Sequence, residues 1–138
     1  MTTLATGVDM VVVSRVARIV DGYGSRFLER VFTASEIVFS RGRPAELAAR
    51  FAAKEAVSKA LGVGMRLMSP TGIGWLDVET LNHRSGQPYL TLYGRAQQLA
   101  SEAGLSTWAL SLTHDGDLAL AFVVALGPLT GGASRLGG

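Results

Sequence analysis

The chain has 138 residues, 48% hydrophobic and only 17% charged, enough for one compact domain with a real core. It has no cysteine, which excludes disulfides and thiolate metal sites, and no apolar run of the 18–20 residues or so that span a bilayer. The formal charge is +2 but uneven: ten basic against six acidic residues up to Arg66, then three against five, so the first part suits an anionic partner such as phosphate, nucleic acid or an acidic protein.

Leu4 to Val13 reads as a β-strand rich in β-branched residues and interrupted at Gly7. Ser14 is placed to cap a short helix running to about Val20. Phe27 to Phe32 is amphipathic. Thr33 followed three residues later by Glu36 is a capping box, so a helix begins there and ends at Arg41-Gly42-Arg43. Pro44 opens the strongest element, PAELAARFAAKEAVSKALGVG, with Pro in the first turn and Gly62 and Gly64 as the stop. Gly74 to Asn82 and Pro88 to Tyr93 alternate apolar and polar residues around the turn Arg84 to Gln87, which predicts a hairpin. Gly94 to Ala103 reads as a helix. Trp108 to His114 and Leu118 to Ala125 are strands joined by Asp115-Gly116. The sum is an α+β domain over residues 1–126, an antiparallel sheet packed on one long helix, followed by a flexible Gly-rich tail over 127–138.

Three features bear on chemistry. On the long helix, Arg50, Lys54 and Ser58 follow one another at i,i+4, and Glu55 and Lys59 make a second such pair. That spacing fits either a solvated face of ion pairs or a phosphate site with one metal-ligating carboxylate. Asp9 stands among strand residues, either at an exposed edge or as a second oxygen ligand for a hard cation. Ser111-Leu112-Thr113-His114-Asp115 places His114 where a strand enters a tight turn, either as a surface histidine or as a donor to a phosphate. A Ser-His-Asp hydrolase is disfavoured, because neighbours on one strand point to opposite faces and no nucleophile elbow is present.

Taken in order, these pieces resemble the holo-acyl-carrier-protein synthase family, the small bacterial type of phosphopantetheinyl transferase. The resemblance runs from about Gly7 to Ala125. Its core is Gly7-Val8-Asp9 with Arg15, and Arg50-Phe51-Ala52-Ala53-Lys54-Glu55-Ala56-Val57-Ser58-Lys59-Ala60-Leu61-Gly62. Phe32-Thr33 with Glu36, Asn82 through Gly86 with Pro88, and Ser111 through His114 support it. It departs at Val12 and Val13, where the first motif often carries an acidic residue.

The resemblance implies a 4'-phosphopantetheinyl transferase-like fold and transfer of phosphopantetheine from coenzyme A to a carrier-protein serine. Asp9 and Glu55 would bind Mg²⁺, with Glu55 and Lys59 catalytic. Arg50, Lys54, Lys59, Gly62 and His114 would bind the coenzyme A phosphates and nucleotide. Arg15 would meet the acidic carrier protein, and Glu55 or a metal-bound water near it would take the serine proton, with Glu36 as the second candidate. A cytoplasmic homotrimer with active sites at subunit interfaces, binding neither nucleic acid nor membrane, completes the expectation.

Overall fold

The computed structural model describes residues 3–66 and 69–128. In chain order these form β1 (Leu4–Val12), α1 (Val13–Tyr23), α2 (Ser25–Val31), α3 (Ala34–Ser40), α4 (Pro44–Leu61), a 3-10 turn (Trp75–Asp77), β2 (Val78–Asn82), β3 (Pro88–Leu92), α5 (Gly94–Glu102), β4 (Thr107–Asp115) and β5 (Leu118–Leu126). The α+β class is as expected. The one expected sheet divides into two: an antiparallel three-stranded sheet in the order β1-β5-β4, and the β2-β3 hairpin.

The long helix α4 is the hub, packed against β1, β5, β2, α1 and α3. Ala48, Ala52, Ala53 and Ala56 are completely buried along it. Small side chains let the neighbouring elements come close to its backbone, and Val57, Val123, Ile73 and Val78 fill the space around them. Buried residues cover so much of the helix circumference that no single stripe separates an apolar face from a polar one. Inward positions of β5 are small and buried (Ala119, Ala121, Val123, Ala125), while its outward Leu118, Phe122 and Leu126 are exposed.

Local chemistry revises several boundaries. Strand β1 is continuous through Gly7, because that glycine is a point of contact: a Cβ there would fall on the carbonyl oxygen of Ala56 in α4. Helix α1 begins one residue before Ser14 and runs past Val20. Its N-cap, Val12, makes no side-chain cap, and Ser14 bonds to Asp117 instead of capping its own helix. The capping box at Thr33 forms as expected. The expected strand from Gly74 starts only at Val78, because Asp77 turns back to accept from the Gly74 N–H at 2.9 Å and winds the first residues into a 3-10 turn. Gly127, expected to open the tail, is buried and donates to Thr3 O at 2.8 Å. Its missing side chain lets it lie on the Gly104 carbonyl, so the fold includes it; the expected tail over 129–138 lies outside the described residues.

Candidate active site

The contact at Gly7 builds the site. Residues of one parity along a strand share a face, so Gly7 and Asp9 point the same way, toward α4. With β1 pressed on Ala56, Asp9 is delivered to the neighbours of Ala56 on the helix, Glu55 and, one turn on, Lys59. Lys59 Nζ donates to Asp9 Oδ1 at 2.9 Å and to Val8 O at 3.0 Å. The Asp9 side chain is mostly buried at 18% exposure, whereas Lys59 remains 53% exposed and free to turn toward a ligand. Burial raises the Glu55 carboxyl above its ordinary range; the charge of Asp9 raises it further, and Lys59 opposes both. A carboxylate raised by burial and by a neighbouring carboxylate is one whose charged form a bound cation would stabilise.

Asp9 and Glu55 line one cleft of about 440 Å³ whose other wall is α1, contributing Arg15 and Ile19, with Phe51 at its side. Arg15 is exposed at the lip. Phe51 is stacked on Trp75 with ring centroids 4.7 Å apart, so the 3-10 turn supports this wall from behind.

His114 belongs to a different cleft, of about 170 Å³, where the end of β4 meets the β2-β3 loop; Glu46, Asn82 and Gly86 lie opposite it. Within one chain, therefore, His114 and the carboxylate pair face separate openings. Gly62 stands at the exposed end of α4 in the left-handed conformation, φ 74°, as the helix stop requires.

Two expected phosphate ligands are not at the surface. Lys54 is fully buried, and its ammonium donates to Glu36 Oε1 at 2.8 Å, to Trp75 O at 3.0 Å and to Val78 O. All three of its protons are spent inside the protein. Arg50 is also fully buried: Nε donates to Thr80 O at 3.1 Å, Nη1 to Glu46 Oε2 at 2.8 Å and Nη2 to Asn82 Oδ1 at 2.5 Å, with the Phe39 ring 4.3 Å from the guanidinium. Burial lowers both cations from their ordinary pKa, with Glu36 opposing for Lys54 and Glu46 for Arg50. The reason is the packing of α4: Arg50 and Lys54 face α3 and β2, not solvent, and Ser58 one turn on is buried as well. Arg50 thus reaches the second cleft only by holding Glu46 and Asn82, which line it. Glu36 is corrected likewise. It is completely buried, accepting from Lys54, from the Thr33 N–H and from the Thr80 N–H, and is in no position to take a proton from a substrate.

Sequence reasoning missed Phe51 with Trp75 as a wall and Asp117 as a clamp on α1. The alanines flanking Lys54 on both sides carried a readable signal of close packing.

The profile of the 4'-phosphopantetheinyl transferase superfamily matches residues 5–123. The chain is 44% identical over 126 residues to holo-acyl-carrier-protein synthase of Herpetosiphon aurantiacus, covering 90% of this chain and 99% of that one. It is 44% identical over 122 residues to the enzyme of the same name from Geotalea daltonii, covering 86% of this chain and 94% of that one. Among solved structures, Helicobacter pylori holo-acyl-carrier-protein synthase in complex with coenzyme A superposes with a TM-score of 0.77 at 31% identity, covering 87% of this chain and 98% of that one. The Neisseria meningitidis synthase gives 0.76 at 32% identity, covering 88% and 96%.

Proposed function

The chain belongs to the holo-acyl-carrier-protein synthase family of 4'-phosphopantetheinyl transferases, and from that premise we propose that it moves 4'-phosphopantetheine from coenzyme A onto a serine of apo-acyl carrier protein. The product released is adenosine 3',5'-bisphosphate, and the carrier serves fatty acid or polyketide synthesis. The observation that carries the reading is the convergence of Asp9 and Glu55 on one cleft beside a half-exposed lysine.

The donor set fits Mg²⁺. This ion takes oxygen ligands and typically one or two carboxylates, leaving its other positions to substrate phosphate and water. Asp9 and Glu55 supply two carboxylates, and the described residues hold no cluster of three acidic, histidine or cysteine ligands that would suit a closed protein cage. When bound, the ion would neutralise charge on the pyrophosphate of coenzyme A.

The remaining work falls to the chain. Lys59 leaves Asp9 for the phosphate oxygens and stabilises the charge that builds on the leaving group. The carrier serine Oγ attacks the phosphorus bearing pantetheine, and the bond from that phosphorus to the bridging pyrophosphate oxygen breaks. Adenosine 3',5'-bisphosphate leaves with the electron pair, while the serine proton passes to Glu55 or to a water held beside it. His114, exposed in the second cleft, holds the 3'-phosphate end of the nucleotide, with Arg50 acting on that cleft through Asn82 and Glu46.

Arg15, exposed where α1 meets the cleft, receives an acidic carrier protein; charge complementarity of this kind speeds encounter and makes it salt-sensitive. Two observations support a homotrimer with interfacial sites as part of this proposal. The outward face of the three-stranded sheet is apolar, with Val8 paired to Phe122 and Leu4 to Leu126, all exposed. The two clefts that would share one coenzyme A face separate openings in a single chain, and a second copy on that sheet could bring them together. A cytoplasmic location is part of this proposal. Among the described residues no helix is long and apolar enough to cross a membrane.

Mass spectrometry of apo-acyl carrier protein incubated with this protein, coenzyme A and Mg²⁺ tests the reaction. A gain of one phosphopantetheine is expected. An unmodified carrier, or coenzyme A hydrolysed without transfer to protein, would overturn the proposal.

A further inference from the structure

The first turn of α1 has no acidic residue and no side-chain cap of its own. A helix start leaves N–H groups without partners and carries a partial positive charge. Here both needs are met from 103 residues away. Asp117 accepts from the Ser14 N–H through Oδ1 at 2.9 Å and from the Ser14 hydroxyl through Oδ2 at 2.5 Å, and its carbonyl accepts from the Val13 N–H at 2.8 Å. A single residue of the β4-β5 turn thus makes three hydrogen bonds to the first two residues of the helix. The next residue is Arg15, at the lip of the Asp9–Glu55 cleft, and Ile19 lines the same cleft one turn on.

We infer that Asp117 is a positioning residue for carrier-protein docking: it fixes the first turn of α1 and so sets Arg15 against the carboxylate cleft. The inference rests on the reading of α1 and Arg15 as the docking element. The clamp also ties that element to the strand end bearing His114, because Asp117 sits in the tight turn that follows β4. Asp117 itself is exposed and lines neither cleft, so it acts through α1 and not on coenzyme A.

The test measures KM separately for apo-acyl carrier protein and for coenzyme A in the full-length protein. Asp117→Ala should raise KM for the carrier about fivefold, the scale on which loss of a helix cap acts, with KM for coenzyme A unchanged. Asp117→Asn, which keeps one acceptor for the Ser14 N–H, should recover part of that loss, and Ser14→Ala, which removes only the hydroxyl contact, should show a smaller rise in the same constant. A cap of purely structural importance would lower the melting temperature and leave the two KM values in their original ratio, and that result overturns the inference. Arg15→Glu is the control for the premise. If it raises KM for the carrier while Asp117→Ala does not, the clamp alone fails. If Arg15→Glu leaves the carrier constant unchanged, the docking reading beneath it fails too.

Discussion

Helix α4 carries two lysines five residues apart, and they have opposite fates. Lys54 faces α3 and β2, fully buried, its three protons given to Glu36 and two backbone carbonyls. Lys59 faces β1, half-exposed, resting on Asp9 and Val8. Five residues on an α-helix is about 140° of rotation, enough to carry a side chain from the core to the rim. The difference teaches that a cation's role follows from what its side of the helix meets: one lysine holds three elements together, the other is available to a substrate.

Removing each lysine separates the two roles. Lys54→Ala should cost about 3–5 kcal/mol of stability, because it leaves the Glu36 carboxylate buried without its partner. Urea or thermal unfolding checks this, and a variant as stable as wild type would erase the distinction. Lys59→Ala should instead reduce turnover about a hundredfold, the scale of losing one donor to developing charge. Its melting temperature should barely move, since an exposed pair contributes at most about 1 kcal/mol. Steady-state kinetics beside a melting curve sharpens the comparison: loss of stability without loss of rate would place Lys59 with Lys54.

The smallest effect concerns Glu55. Its carboxyl is raised in the folded protein by burial first and by Asp9 second, so ionisation costs the folded state more than the unfolded one. Above the raised pKa that penalty is fully present; as pH falls below the ordinary carboxylate value of 4.5 both states are protonated and it vanishes. Without divalent cations, Glu55→Gln should therefore melt slightly higher than wild type at neutral pH, with the gap closing in acid. Melting curves across pH read it directly. A variant that melts lower at neutral pH would show that the Glu55 charge is already compensated inside the cleft.

Much of this was legible in the sequence, and the exceptions share a cause. The order of elements, the capping box at Thr33 and the hairpin strands were set by local chemistry, and local chemistry is what a sequence displays. Asp9 with Glu55 was readable because a resemblance joined two distant motifs, and Gly7 proved to be the reason they meet. What could not be read depended on partners far along the chain. The i,i+4 row Arg50, Lys54 and Ser58 fits a solvated face as well as a buried one until β2 is seen to lie over Arg50 and Lys54. Ser14 has the residue type of a cap, and only the fold shows Asp117 taking that role from the far turn. Glu36 was legible as a capping residue, but its second bond, to Lys54, was hidden for the same reason.

The central claim is that Asp9 and Glu55 hold one divalent ion between them. Calorimetric titration of Mg²⁺ into the protein with coenzyme A present, for wild type, Asp9→Asn and Glu55→Gln, tests it most directly. One ion per chain should bind to wild type, and either substitution alone should abolish that binding while the fold survives. Undiminished binding to either variant would contradict a shared site.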